Sequence, residues 1–366
     1  MRSLSFAAAA TLVVITACGG PSNPTASPPS SARSVATSGA STAAPSVAAT
    51  NTGPTETPPP LPAELVLGQT FGLSYDPQVE RVILVNGAQE RGQAKPTELW
   101  SWTGTDWELL DAAGPEARSF AAIGRDPVRG VVVVHGGLSS TGKAFDETLE
   151  WDGGDWTVQP AGDSGPGARE GAGLAYEADT GRMLLFGGAL AFEQRGDTWA
   201  WDGKTWDPVA EVGPRPRFIS LMAEDRATGD VLLQGGHWVD GNEGDFLADT
   251  WRWDGAAWTE VATDDGPGPR VNSPGTWDDR LGGIVMFGGG TDESGPAAAD
   301  TWLWQDGWTQ VETTTAPGPR GGHAIAFDAK RGVLVLVGGI ARPGGSQVLE
   351  VWELDAAGWH EVLPAQ

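Results

Sequence analysis

A unit of about fifty residues recurs six times in this chain, and this period constrains the fold more than any other feature of the sequence. Each unit closes on a tryptophan, and consecutive tryptophans of this set are 49 to 52 residues apart. They are Trp107, Trp156, Trp206, Trp258, Trp308 and Trp359. A glycine-ending apolar run keeps step with them, with its last glycine at Gly87, Gly137, Gly188, Gly236, Gly289 and Gly339. Internal similarity at such a period is typical of solenoids, propellers and other arrays.

Four short strands, which we name A to D in chain order, are predicted in each unit. The apolar run, such as residues 131–134, is continuous and rich in β-branched residues, which fits a strand buried on both faces. The Trp-x-Trp pair that follows alternates with period two, so both rings lie on one side of a strand. The Asp-Gly after it is a hairpin signal that leads into the last strand. Because no segment has a convincing helical period, an all-β fold is predicted.

The repeated motif resembles the kelch repeat. Its paired glycines, its spaced tryptophans and the Pro-x-x-Arg before the first strand carry the resemblance over residues 68–366. The chain looks in particular like the bacterial kelch proteins that are loosely grouped with the central domain of galactose oxidase. The resemblance implies a six-bladed kelch-type β-propeller, with four antiparallel strands per blade, over residues 64–366.

The end units deviate most from the pattern, as capping units do. Unit one has Asn86-Gly87 in place of Gly-Gly, and Gly68 where other units have an arginine. Because both end units contain all four predicted strands, no strand exchange between them is expected, unless residues 65–67 pair with the last blade.

The N-terminus is expected to direct the protein out of the cytoplasm. Residues 1–17 begin with Arg2 and continue with apolar and small residues, which fits a signal peptide, since a membrane-spanning helix needs about 20 residues. The sequence Ile-Thr-Ala-Cys-Gly around Cys18 resembles the bacterial lipobox, which implies that Cys18 is acylated. The alternative is an ordinary signal peptide with an incidental cysteine. We expect an extracytoplasmic protein, lipid-anchored to the cell membrane, with residues 18–63 as a disordered Ser/Thr/Ala/Pro-rich linker.

Composition excludes several classes of function. The formal net charge is −25, so nucleic acid is not an expected partner, because an acidic surface repels phosphate. One cysteine allows neither a disulfide framework nor a Cys-rich metal site. We expect no cofactor, no metal and a monomeric protein.

Two known propeller chemistries are not supported by the residues present. Galactose oxidase needs tyrosine ligands to copper and a Tyr–Cys cross-link, whereas this chain has Tyr75, Tyr176 and no cysteine after Cys18. The Asp-Gly turns resemble sialidase Asp-boxes, but Asp202 lies four residues before Trp206, where an Asp-box has five. No two histidines share a local motif, and His135 and His323 are expected to be packing residues.

Two sets of charged residues recur at equivalent positions, just before strand A and just before strand C. The first set is Arg118, Arg169, Arg217, Arg270 and Arg320. The second is Glu98, Glu147, Asp197, Asp249, Asp300 and Glu350. In a kelch propeller both positions follow loops on one face, the D-to-A and B-to-C loops. Either each arginine pairs with a nearby carboxylate and loop carbonyls, or the arginines form an electropositive channel mouth that binds an anionic sugar or peptide carboxylate.

The longest B-to-C loop, in unit four, does not follow the repeat. It carries the candidate binding residues His237, Trp238, Asp240, Glu243 and Asp245. A tryptophan with polar neighbours suits stacking on a sugar ring or a protein hot spot. The alternative is that Trp238 packs against the neighbouring blade. A calcium site formed by Asp240, Asn242 and Glu243 is a further hypothesis, because calcium takes oxygen ligands.

These observations predict a surface-tethered lipoprotein whose propeller binds an envelope protein or glycan without catalysis, through one loop face. Two alternatives stay open. One is a saccharide-acting enzyme of the kelch sugar-epimerase type, and the other is a structural scaffold with no defined ligand.

Replacement of Cys18 tests the lipid anchor. Because serine cannot be acylated as the lipobox cysteine is, Cys18→Ser is expected to leave the protein unprocessed or unanchored. Cell fractionation with immunoblotting measures this, with Ser22→Ala as the control. A wild-type protein found wholly in the soluble fraction would contradict the anchor.

Overall fold

The computed structural model describes residues 65–68, 71–87, 94–159, 164–191, 193–240, 243–261, 266–292, 296–341, 347 and 349–364. The predicted signal peptide, Cys18 and the linker lie outside these ranges. The described residues form strands, turns and loops, and none of them is helical. A helix with the length and apolar character of a membrane span is not found in these ranges.

The described strands form six antiparallel sheets of four strands, arranged as the blades of a propeller. Blade 1 consists of β1 (Phe71–Asp76), β2 (Arg81–Asn86), β3 (Glu98–Trp102) and β4 (Trp107–Asp111). Blade 2 consists of β5 (Ala122–Asp126), β6 (Val131–His135), β7 (Thr148–Trp151) and β8 (Trp156–Gln159). In blade 3, β9 (Gly173–Glu177) and β10 (Arg182–Phe186) precede a small hairpin of β11 (Ala189–Leu190) and β12 (Glu193–Gln194). Blade 3 then ends with β13 (Thr198–Trp201) and β14 (Trp206–Ala210).

The second half of the chain repeats this arrangement. In blade 4, β15 (Leu221–Glu224) and β16 (Val231–Gln234) precede a longer hairpin of β17 (His237–Asp240) and β18 (Glu243–Phe246). Blade 4 ends with β19 (Thr250–Trp253) and β20 (Trp258–Val261). Blade 5 consists of β21 (Gly275–Asp278), β22 (Gly283–Phe287), β23 (Thr301–Trp304) and β24 (Trp308–Val311). Blade 6 consists of β25 (Ala324–Asp328), β26 (Val333–Val337), β27 (Val351–Asp355) and β28 (Gly358–Leu363). The predicted all-β, six-bladed architecture is confirmed.

The sequence pattern explains the burial of each strand. Strand B lies between strands A and C and between neighbouring blades, and every residue of β6 is buried, as its valine run predicts. Strands C and D form the predicted hairpin, in which Trp201 lies opposite Trp206 with ring centroids 5.3 Å apart. Such cross-strand aromatic pairs stabilise antiparallel sheets.

The paired glycines are required where one blade meets the next. Gly136 and Gly137 have φ angles of 70° and 90°, which side chains disfavour. A Cβ on Gly136 would lie 2.4 Å from the carbonyl oxygen of Arg169 in blade 3. The same carbonyl accepts a 2.8 Å hydrogen bond from the N–H of Gly137. The glycines thus allow the main chain of the following blade to approach this closely.

Five of the six strand-D tryptophans hydrogen-bond to the preceding blade. Trp156 donates its indole N–H to the carboxylate of Asp111 in blade 1 at 3.0 Å. The other four donate theirs to a buried threonine at the start of strand C in the previous blade. The pairs are Trp206 with Thr148 at 2.8 Å, Trp258 with Thr198 at 2.9 Å, Trp308 with Thr250 at 3.0 Å and Trp359 with Thr301 at 2.9 Å.

The ring closes between blades 6 and 1 without strand exchange among the described residues, since each blade is built from consecutive strands. Residues 65–68 form no strand there, and Leu65 packs into the apolar core between the two blades. Trp102 reaches across this seam to Glu353 with a 3.0 Å hydrogen bond. However, blade 6 has Val351 at the start of strand C, where blades 2 to 5 have the acceptor threonine. The buried indole N–H of Trp107 therefore has no acceptor among the described residues.

Val351→Thr is expected to stabilise the seam. The new hydroxyl would take the position that Thr301 has in blade 5 and would accept the indole N–H of Trp107. Satisfying a buried donor contributes about 1–3 kcal/mol, from which the cost of burying the hydroxyl is subtracted. We expect the free energy of unfolding to rise by about 1 kcal/mol in denaturant titrations.

The reverse swap, Thr301→Val, is the matched control and is expected to lower the free energy of unfolding, because it deprives Trp359 of its acceptor. A destabilised Val351→Thr protein beside an unchanged Thr301→Val protein would contradict the account of the seam.

Candidate functional site

The arginines before strand A are buried and paired with the carboxylates before strand C of their own blades. Arg217 is fully buried and makes a bidentate pair with Asp249, at 2.6 and 2.7 Å. The other pairs are Arg118 with Glu147 at 3.2 Å, Arg169 with Asp197 at 2.8 Å, Arg270 with Asp300 at 2.6 Å, and Arg320 with Glu350. The pairing alternative is therefore confirmed by the contacts.

Each pair is embedded in further hydrogen bonds. Arg217 also donates to the carbonyl oxygens of Gly235 and Arg215, both at 2.9 Å. Asp249 accepts a second donor, the indole N–H of Trp251, at 2.7 Å. Burial raises the pKa of Asp249, but its hydrogen bond to Arg217 and the charge of that arginine outweigh burial, so its pKa lies below the usual range. The arginine, the carboxylate and the first tryptophan of strand C form one unit.

Four of the five arginine side chains accordingly expose 6% or less of their area, and Arg270 exposes 7%. An anionic ligand would have to compete with a carboxylate that already holds the guanidinium. The hypothesis that these arginines bind a ligand stays a prediction, and the contacts account for the arginines without one.

Blade 1 compensates for its missing arginine with an asparagine. Asn86, fully buried, donates to the carbonyl of Val66 at 2.8 Å and to Glu98 at 3.4 Å, and accepts from the N–H of Gly68 at 3.1 Å. The two deviations of unit one, Asn86 and Gly68, therefore belong together. A neutral amide here links the same two loops that the arginine links elsewhere.

The two hairpins outside the blades lie on the face of the arginine pairs, in the B-to-C loops of blades 3 and 4. Gln194 in β12 joins them. Its amide nitrogen donates to the carbonyl of His237 at 3.2 Å, and its amide oxygen accepts from the N–H of Val239 at 3.0 Å. The hairpin of β17 and β18 is thus held in place by the neighbouring blade.

The base of the blade-4 hairpin is aromatic. The ring of His237 lies between Phe218 and Phe246, with ring centroids 5.3 and 4.8 Å away. The guanidinium of Arg215, in the D-to-A loop of the same blade, lies 3.7 Å from the ring centroid of Trp238. Trp238 is half-buried, so it packs on its own blade's arginine and keeps part of its surface exposed.

The three acidic candidates, Asp240, Glu243 and Asp245, are exposed at the outer part of this hairpin. No group of three side chains suited to hold a metal ion occurs among the described residues. Residue 242, part of the calcium hypothesis, lies outside them.

Sequence reasoning missed a repeated main-chain conformation just before strand A. Phe120, Ile219 and Asn272 have φ angles of 53°, 53° and 52° at one repeat position, two residues after the arginine. Their main chains form an inter-blade belt in which Ile219 N–H donates to Gly171 O at 2.7 Å and Asn272 N–H to Ile219 O at 3.1 Å. Glycine at the same position in units three and six was a signal of this conformation.

Glu170, next to Arg169, was also missed. Burial raises the pKa of Glu170, with no cation to oppose the shift. The signal for it was an acidic residue at a position that holds Ser119, Phe218 or Val271 in other units. Its main chain exchanges two hydrogen bonds with Ala189 of β11, at 2.8 and 2.9 Å, so Glu170 lies beside the smaller hairpin.

His135 and His323 are confirmed as core residues. Burial lowers the pKa of each to about 3, so both are neutral at ordinary pH. His135 shares a 3.1 Å hydrogen bond with Thr148, and His323 packs edge-on against Phe287.

The described residues form a six-bladed β-propeller with two extra hairpins in the B-to-C loops of blades 3 and 4. No protein-family model matches the chain, and no curated protein matches it significantly.

Proposed function

We propose that this protein is an extracytoplasmic lipoprotein of the kelch type, anchored through Cys18, whose propeller binds an envelope protein or glycan without catalysis. The binding surface is the face of the D-to-A and B-to-C loops. Its centre is the blade-4 hairpin with Trp238, together with Glu170 and the smaller hairpin of blade 3.

One observation carries this proposal: the two extra hairpins both lie on this face and are braced against each other through Gln194. Because every blade builds its core from the same repeated residues, the non-repeating residues are not needed to form the blade cores. A half-buried tryptophan beside exposed carboxylates offers a stacking surface and hydrogen-bond acceptors. Bracing reduces the ordering cost of binding.

A groove elsewhere on the propeller lacks the groups of an enzymatic pocket. An open groove of about 430 Å³ beside strand D of blades 3 and 4 has Glu211 as its only titratable lining residue. It therefore lacks the acid–base pair that a sugar epimerase would need.

A capture experiment tests the proposal. The full chain is immobilised and exposed to envelope extract, beside a variant with Trp238→Ala and Asp245→Asn. A control variant, Val128→Ala with Asp306→Asn, removes one exposed apolar and one exposed acidic side chain from other turns. We expect a protein or glycan that wild type and control retain and the Trp238 variant loses, with all three melting alike.

Protease or periodate treatment of the extract then separates a protein ligand from a glycan. Equal retention by all three proteins, or retention of nothing, would contradict binding through this face.

A further inference from the structure

Strand β18 has an outer edge that the described chain leaves uncovered. The N–H of Leu247 donates to Gly236 O, so the hydrogen-bonded pairs alternate along the hairpin from that point. Gly244 and Phe246 therefore direct their main-chain groups away from β17. Neither N–H has a main-chain acceptor among the residues that the structure describes.

The opposite edge of the hairpin, along β17, is hydrogen-bonded to the propeller. His237 exchanges both main-chain hydrogen bonds with Phe218, at 3.0 and 3.1 Å, and the N–H of Val239 donates to Gln194. The hairpin therefore has one edge bonded to the propeller and one edge without a main-chain partner in the described part of the chain. An open strand edge is a template for pairing with another chain.

The two faces of the hairpin differ in chemistry. The register pairs Trp238 with Asp245 and Asp240 with Glu243, which puts these four side chains on one face. The other face carries His237, Val239, Gly244 and Phe246, and packs through His237 against Phe218.

The carboxylates of the polar face have no cationic partner in the described part of the chain. Asp240, Glu243 and Asp245 are exposed and form no ion pair within the described part of the chain. Arg215, the cation that contacts this hairpin, lies over the ring of Trp238 and not against a carboxylate. Three negative charges beside an open strand edge complement a positively charged strand.

We propose that an extended basic segment of a partner protein pairs with the open edge of β18 and places alternate lysine or arginine side chains against Asp240, Glu243 and Asp245. This inference rests on the proposed function and names the class of its partner. Main-chain hydrogen bonds supply part of the affinity, and the carboxylates select a basic segment over an acidic one. The braced hairpin needs little ordering when the segment binds.

The test uses a labelled peptide of alternating lysine and valine and measures its binding to the full chain by fluorescence anisotropy. The hairpin variant combines Asp240→Asn, Glu243→Gln and Asp245→Asn. The matched control combines Asp155→Asn, Glu260→Gln and Asp306→Asn, which removes the same three charges from exposed positions elsewhere. We expect the hairpin variant to bind about tenfold more weakly, and the control variant to stay within about twofold of wild type.

A second peptide separates strand pairing from simple charge attraction. The same sequence with every internal amide N-methylated keeps its lysines but loses its N–H donors, and we expect it to bind about tenfold more weakly to wild type. A peptide of alternating glutamate and valine is expected not to bind.

Three outcomes would overturn this inference: no binding of the basic peptide, equal binding by the hairpin and control variants, or undiminished binding of the methylated peptide. The envelope capture experiment distinguishes this failure from a failure of the proposed function. If the Trp238 variant still loses the captured ligand while the peptide result is negative, the face binds a ligand of another class.

Discussion

The buried pair between the arginine before strand A and the carboxylate before strand C is the interaction on which the rest of this propeller depends. In blade 4, Arg217 is fully buried and joins Asp249, two loop carbonyls and, through Asp249, the indole of Trp251. One side chain thus fixes the start of strand A against the loop between strands B and C. Removing one partner of such a buried pair costs about 3–5 kcal/mol, because the other charge is left without compensation.

The same arginines also set the contact between blades, through their main chains. The carbonyl of Arg169 lies against Gly136 and Gly137 of the preceding blade, where no Cβ would fit. Side chain and main chain of one residue therefore organise two neighbouring blades. Blade 1 has no such arginine, so at the seam the ring of Phe71 occupies the place of the carbonyl, with its Cζ 2.6 Å from a Cβ placed on Gly338. The seam differs from the other junctions in chemistry as well as in position.

The sequence predicted the repeated part of this structure and little of the rest, for a physical reason. The strands and hairpins recur six times and the arginine–carboxylate pairs recur five times. Each position can therefore be compared with its equivalents in the other units. The bridge from Gln194 to the blade-4 hairpin and the stacking of Arg215 on Trp238 occur once and join residues far apart in sequence. In the sequence, Gly68 and Asn86 are two separate deviations from the repeat. Only the fold shows that the N–H of Gly68 donates to the side chain of Asn86. The proposed site lies among these single occurrences, where periodicity carries no information.

A double-mutant cycle on Arg217 and Asp249 tests most directly whether these pairs are structural. Arg217→Met, Asp249→Leu and the double variant would be unfolded in denaturant, with Arg215→Met in the same loop as an exposed control. The account predicts a loss of about 3–5 kcal/mol for Arg217→Met, a strongly non-additive double variant and little change for Arg215→Met. A stable Arg217→Met protein, with additive effects and lost ligand binding, would contradict it and return the arginines to the binding site.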